Sequence, residues 1–294
     1  MSQSEASRSR RILILSSEFP PFRGGIATYA HELAKAAARD GHDVTVLAAD
    51  YFEDNTAEDA AHPFKVIRFR AGPASLRSMP ARLLAARRVL SRQGFDIIHA
   101  ADWPFYIPVR LLAPRSSRVL LTLHGSEIAL MARAKYRAAL HLLRFWRGGW
   151  AEWIANSRST LNSAFANLPL GRAVARAVPL GVSDEWLEHC LDRNEARSAL
   201  NLDAERLVIL SLGRVVRRKG HGVLADALAL LPPQLSARVS WWIVGPILEA
   251  DHADAIRAKL ERSGVDGTFL GKLPLAEVKQ RLVASDLFCL PGFM

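Results

Sequence analysis

The sequence predicts an α/β protein: two Rossmann-like, doubly wound domains facing a cleft, the second of them incomplete. Three observations carry this reading. Apolar runs of strand length alternate with helical patterns from residue 11 to the end. The runs are apolar at successive positions, as strands must be in a parallel sheet covered on both faces. The alternation breaks near 180–205 and then restarts, and 294 residues, 50% of them hydrophobic, suffice for two cores.

The elements follow in order. The polar opening MSQSEASRSR is expected to be a disordered tail, 1–10. The first domain, 11–183, takes strands at 11–16, 43–48, 65–69, 97–99, 118–123 and 153–155. Its helices are expected at 25–40, 80–93, 130–148 and 157–167. The stretch AVPLGVSDEW, from Ala177 to Trp186, reads as strand end, turn and linker. The second domain, 184–294, takes strands at 207–212, 239–244, 267–270 and 286–290, with helices at 220–231, 251–263 and 275–284. Four strands leave a doubly wound sheet with one bare edge, which points to a truncated chain. There is no internal repeat and no low-complexity tract. No apolar run approaches the roughly 18 to 20 residues that span a bilayer, and none follows the tail as a signal sequence would.

Charge is unevenly spread. The net charge is +10, from 39 basic and 29 acidic residues. Residues 1–183 hold 25 Lys/Arg against 14 Asp/Glu, and 184–294 hold 14 against 15. Within 61–150 the count is 16 against 3, so the excess sits in the middle of the first domain. Such a surface attracts an anionic partner. On a helix through 131–147, Arg133, Arg137 and Arg144 share one face, and Met131, Ala138, Leu142 and Phe145 share another. That pattern fits either a core-packed helix with a solvated basic side or an interfacial helix on anionic lipid. Arg82, Arg87, Arg88 and Arg92 extend the positive region, so an anionic membrane surface is expected to meet 77–150. Trp146, Trp150 and Trp153 read as interfacial anchors or as core. No nucleic-acid-binding motif accompanies the charge, and none is expected as a partner. Cys190 and Cys289 match no metal spacing and read as buried or incidental thiols of a reducing cytoplasm.

Chemistry concentrates after the strands. The run LVILSLGRVVRRKGHGVLADALALL puts Gly213-Arg214 at a strand's carboxyl end, with Lys219-Gly220 just before a helix. A helix start favours anions, and a forked Arg with a point-charge Lys suits a diphosphate. Gly24-Gly25, between strand one and its helix, lets the backbone approach a bulky anion. It is neither a P-loop nor a Gly-x-Gly-x-x-Gly turn. His124-Gly-Ser-Glu127 follows another strand. His124 and Glu127 are candidates for bonds to sugar hydroxyls, or for a satisfied loop histidine and a helix cap. His99 and Asp102 occupy the same position after the strand at 97–99, where ligands of doubly wound sheets sit.

Taken in order, Glu18-Phe-Pro-Pro, Gly24-Gly25-Ile26, Gly41-His-Asp-Val-Thr-Val46, Asp96-Ile-Ile-His99, His124-Gly125, Ala155-Asn-Ser157, Pro179-Leu-Gly-Val182, Gly213-Arg214 with Lys219-Gly220, Val244-Gly245, Phe269-Leu-Gly271 and Ser285-Asp-Leu-Phe288 with Pro291 resemble glycosyltransferase family 4, of the GT-B fold. The resemblance runs from Arg11 to the end. It implies a retaining hexosyltransferase that needs no metal and no cofactor and uses a nucleotide-diphosphate sugar, UDP-glucose or GDP-mannose. Arg214 and Lys219 would hold the diphosphate, with Gly24 and Gly25 approaching it from the other domain. His124 would touch the transferred sugar, and Phe269, Leu270 and Gly271 would lie beside the base. His99, Asp102 and Glu127 would face the acceptor, a glycan or a lipid-linked molecule of cell-envelope polysaccharide or glycolipid synthesis. A front-face step, in which the diphosphate takes the acceptor's proton, needs no carboxylate pair of the glycosidase kind. The family's Glu-x7-Glu element is absent, because the sequence ends at Met294. That leaves two alternatives: an inactive GT-B chain acting at most as a binding module, or another nucleotide-sugar enzyme such as an epimerase. The expected location is the cytoplasm, peripheral on the inner face of the plasma membrane.

Overall fold

The structure, a computed structural model, describes residues 8–22, 24–72, 76–170, 174–188 and 191–292. Residues 1–7 of the expected tail and Cys190 lie outside the described residues. The chain divides into two compact units, residues 1–181 and 182–294.

The first unit is built on a seven-stranded sheet. Its strands are β1 (Arg11–Ser16), β2 (Asp43–Ala49), β3 (Lys65–Phe69), β4 (Ile97–Ala100), β5 (Arg118–Leu123), β6 (Glu152–Ala155) and β7 (Val174–Ala177). They lie in the order β3-β2-β1-β4-β5-β6-β7, and every pair is parallel. The continuous apolar run of β1 has its cause here. Ile12 and Ile14 pack with Ala30, Ala34, Val44 and Val46 on one face. Leu13 and Leu15 pack with Ile98, Phe105 and Val109 on the other. A strand with both faces covered has no polar side to show.

The strand end read at Ala177 closes a seventh strand, Val174–Ala177, paired with β6. Two expectations are corrected in this unit. The helix expected over 130–148 is two helices, Ser126–Ala132 and Ala134–Leu142, separated by Arg133 in an extended conformation (φ −63°, ψ 136°). Ala138 and Leu142 are exposed, whereas Met131, Leu140 and Phe145 are buried. Core packing overrides helix propensity: Phe145 turns in against Tyr106 and Trp153, and Trp146 and Trp150 pack beside it. The three tryptophans therefore serve the core. Arg82, counted with the surface charge, is 0% exposed.

The second unit carries β8 (Leu207–Leu212), β9 (Val239–Val244), β10 (Asp266–Gly271) and β11 (Leu287–Phe288), ordered β10-β9-β8-β11 and all parallel. Trp241, fully buried, donates from Nε1 to Ser211 Oγ at 2.9 Å, and Ser211 donates in turn to the Cys289 carbonyl. β11 is shorter than the expected 286–290. Asp286 is occupied as a side-chain lock, accepting from Val208 N at 2.7 Å and from Arg193 Nη2 at 2.5 Å. The linker region contributes a helix of its own, Arg193–Ala199, opened by a capping box of Asp192 and Glu195.

Candidate active site

Each sheet has one place where the strand order reverses. In the first unit it lies between β1 and β4; in the second, between β8 and β11. Loops leaving neighbouring strands in opposite directions open a crevice there, where doubly wound sheets bind ligands. Gly24, Gly25, His99 and Asp102 lie at the first place and Arg214 and Lys219 at the second, while His124 and Glu127 follow β5, one strand further along.

At the first, Ser17 follows β1 and Asp102 follows β4. Ser17 N donates to Asp102 Oδ2 at 3.0 Å, tying the two strand ends together. Asp102 is 2% exposed, and its Oδ1 has no hydrogen-bond partner. Burial pushes its pKa up to about 7 against the pull of the Ser17 hydrogen bonds and Arg82. The buried Arg82 donates from Nε to Ser17 Oγ at 3.3 Å, and also to Ser78 Oγ and the Gly72 carbonyl. Tyr51 donates to the Ser17 carbonyl at 2.9 Å, and burial raises its pKa to about 12. Gly24 and Gly25 open the helix Gly25–Arg39, which has no side-chain cap and no acidic residue in its first turn. A Cβ on Gly24 would crowd the end of the Glu18 side chain, whereas one on Gly25 would meet nothing within 4 Å.

His124, at the end of β5, donates from Nε2 to the Ala101 carbonyl at 2.8 Å. A carbonyl only accepts, so the ring carries a proton on Nε2. The Tyr29 ring stands edge-on to it at 5.1 Å. His99 is buried among Tyr29 and Thr122, with Nε2 2.7 Å from Thr122 Oγ1. Burial, with His124 nearby, lowers its pKa to about 4. Glu127 is turned back: its Oε1 accepts from the N–H groups of His124 and Gly125, so its carboxylate caps its own helix. Of the three residues expected to face an acceptor, Asp102 keeps an unfilled acceptor atom, while His99 and Glu127 are engaged within the fold.

At the second place, β8 ends in Gly213-Arg214. Lys219 is half-buried, with Cε 4.0 Å from where a Cβ on Gly213 would stand. Its stem thus lies beside Gly213, and the neighbouring Arg214 is exposed. Gly220 caps the helix His221–Leu228 with φ +76°, and a Cβ there would overlap the Pro291 carbonyl. This glycine is required on both counts. Arg217 is held apart by Glu249, 3.8 Å away. A Cβ on Gly245 would overlap the Gly213 carbonyl, and Gly245 N donates to Gly271 O at 2.7 Å. The turns after β8, β9 and β10 therefore touch. The structure brings Gly271 to this rim. The Phe269 side chain packs under Arg257, 4.5 Å from the guanidinium, and Leu270 packs with Leu210 and Val244.

Sequence reasoning missed Tyr29, Thr122, Ser17 and Tyr51 and misplaced Arg82. Thr122 had a signal, as a polar residue inside an apolar strand two positions before His124. Among the described residues no cluster of three or more His, Cys, Asp and Glu side chains is placed to hold a metal ion.

Two doubly wound parallel sheets, with the Gly24-Gly25 helix start at one switch point and Arg214 and Lys219 beside the other, have the architecture of a GT-B glycosyltransferase. The Glycosyltransferase Family 4 model matches residues 23–186, and the Glycosyl transferases group 1 model matches 192–294. The chain belongs to Glycosyltransferase Family 4. It is 26% identical over 292 residues to the GDP-mannose-dependent alpha-(1-6)-phosphatidylinositol monomannoside mannosyltransferase of Mycobacterium tuberculosis, spanning 96% of this chain and 72% of that protein. The corresponding enzyme for the monoacylated acceptor in Corynebacterium glutamicum is 24% identical, over 97% of this chain and 73% of its own length. Among solved structures, sucrose-phosphate synthase from Thermosynechococcus elongatus superposes with a TM-score of 0.75 at 20% identity, covering 96% of this chain and 75% of that one. Anabaena HepE, solved with UDP and glucose, gives 0.70 at 21%, covering 96% and 74%. These two show the GT-B fold.

Proposed function

We propose that this glycosyltransferase moves a hexose, with retention of configuration and without a metal ion, from a nucleotide-diphosphate sugar to a hydroxyl of a lipid-linked acceptor. The observation that carries the reading is the Lys219 stem lying beside Gly213, the residue before Arg214, at the second switch point. Two cations there supply the charge that other transferases take from a metal, and they stabilise the diphosphate as it leaves. The bond from the anomeric carbon to the diphosphate oxygen breaks as the acceptor oxygen bonds to that carbon, and the acceptor proton passes to the departing diphosphate. His124 Nδ1 accepts from a hydroxyl of the transferred sugar. Asp102 Oδ1, buried and unpartnered, accepts from the acceptor. GDP-mannose is the donor favoured by the curated relatives, all GDP-mannose-dependent and acting on phosphatidylinositol mannosides. The basic surface of 77–150 rests on an anionic membrane, on its cytoplasmic face.

The test is turnover of GDP-mannose, UDP-glucose and UDP-galactose against a panel of acceptors that includes phosphatidylinositol monomannoside, in the presence of a chelator. An α-mannosyl product resistant to chelation is expected. A β-linked product would contradict retention, and loss of turnover on chelation would contradict metal independence.

A further inference from the structure

Two buried histidines of the second unit take no part in the chemistry described above. His221 opens the helix His221–Leu228, directly after Lys219 and Gly220, and is 0% exposed. Neither of its ring nitrogens has a hydrogen-bond partner among the described residues. His252, on the helix Ala250–Ser263, is also buried, and its Nε2 is unpartnered as well. A neutral imidazole keeps one N–H and a charged one has two, so buried rings of this kind call for a reason.

Both rings support the same turn. The His221 ring is stacked on Trp241, with centroids 6.3 Å apart, and Trp241 belongs to the core of this unit. The His252 ring lies against the start of the neighbouring helix, because a Cβ on Gly222 would come within 3.0 Å of its Cε1. Lys219 N donates to the Val216 carbonyl and Gly220 N to the Arg217 carbonyl, both at 3.0 Å. Val223 N and Leu224 N donate back to the Gly220 carbonyl. The turn that carries Lys219 therefore runs straight into the helix start on which the two rings bear. If that helix start moves, Lys219 moves with it.

The surroundings disfavour a charge on either ring. Lys219 and Arg217 face the pair from the turn, and Lys259 faces it from the helix Ala250–Ser263. Among carboxylates on the adjoining elements, Glu249 pairs with Arg217, Asp226 with Lys259 and Asp254 with Arg257. Asp266 of β10 accepts from Ser240, and Asp251 and Glu261 are exposed. β8 and β9 carry no charged residue. A helix N-terminus adds positive potential at His221. Burial first, then His252 and Lys219, holds His221 below the ordinary value of 6.5. Burial first, then Arg217 and Lys259 against the pull of Glu249, does the same for His252. The closed turn therefore loses stability as the pH falls below 6.5, because an open form takes up protons more readily.

We propose that His221 is a positioning residue for the donor: the neutral His221 and His252 rings hold the Lys219-Gly220 turn on its helix, and a proton taken up by the pair opens that turn and releases the diphosphate. The inference rests on the reading that Arg214 and Lys219 bind the donor diphosphate.

The test is calorimetric titration of the 294-residue chain with GDP-mannose and with UDP-glucose at about pH 7.5 and about pH 5, with near-ultraviolet circular dichroism confirming the fold at each. The diphosphate of a sugar nucleotide is a diester whose charge is constant over that range, so a change in affinity belongs to the protein. The wild type should bind its donor at least several-fold more weakly at the lower pH. His221→Phe keeps a ring on Trp241 without a titrating nitrogen, and its affinity should change far less. His252→Gln removes the neighbouring ring and should move the loss to lower pH. One readout needs no variant: near pH 5.5, wild-type titrations in buffers of different ionisation enthalpy should show proton release on binding, because the donor selects the neutral pair. Proton uptake, or affinity that strengthens on acidification, would overturn the proposal in favour of an imidazolium attracted to the diphosphate. Parallel pH curves for the wild type and both variants would overturn it and leave the donor site intact. Absence of saturable binding at neutral pH, or binding that Arg214→Ala leaves unchanged, would remove the clamp itself and the proposal with it.

Discussion

Asp102 and His99 stand three residues apart at the end of one strand, and burial moves their protons in opposite directions. Asp102 is held toward its protonated form at about pH 7, and His99 toward its neutral form down to about pH 4. For His99 the folded value lies below the ordinary 6.5, so between these values the native state binds fewer protons than the unfolded chain. Its contribution to stability is therefore present above pH 6.5 and is lost as the pH falls toward 4. Denaturant unfolding at several pH values checks this. The wild type should lose on the order of 3 kcal/mol more than His99→Gln between neutral pH and pH 4; parallel curves would show that His99 is not the group that charges. The sequence placed both residues at the right strand end. It was silent on their division of labour, because that depends on Thr122, Tyr29 and Ser17, which arrive from other strands and helices.

At the scale of elements, the two glycine turns carry different constraints. Gly220 is demanded by the fold, through a left-handed φ and the Pro291 carbonyl. Gly25 is not: a methyl group there enters open space at the start of a helix. Gly25→Ala should therefore keep or slightly raise the thermal midpoint, since alanine suits a helix better than glycine. If a diphosphate approaches that backbone, the same variant should raise the KM for donor at least several-fold. Unchanged donor kinetics in Gly25→Ala would remove this turn from the site. Helix and strand positions were legible wherever local pattern decides them, as in β1, β5 and the helix Leu275–Ala284. The break at Arg133 was not, because it answers to Phe145 and Trp153 packing on Tyr106. β7 was legible only at its end, Ala177, for a related reason: pairing with β6 is what makes a strand of Val174–Ala177.

At the scale of the molecule, the strand alternation in the sequence was enough for two parallel sheets, and the charge count was enough to place the basic excess in the first. What it could not show was which strands become neighbours. The reversals between β1 and β4 and between β8 and β11 are long-range pairings, yet they select which loops meet a ligand. They also show why Arg82 belongs to the interior, bonded to Ser17 after β1, rather than to the charged surface. In the function proposed above, Arg214 and Lys219, at the second of these reversals, clamp a nucleotide diphosphate. Calorimetric titration of the 294-residue chain with GDP and with UDP, beside Arg214→Ala, tests it most directly. One saturable site for at least one nucleotide is expected, weakened about tenfold to a hundredfold in the folded variant, as loss of a charge-assisted hydrogen bond implies. Saturable binding that Arg214→Ala leaves unchanged, or no binding of either nucleotide to the folded chain, would contradict it.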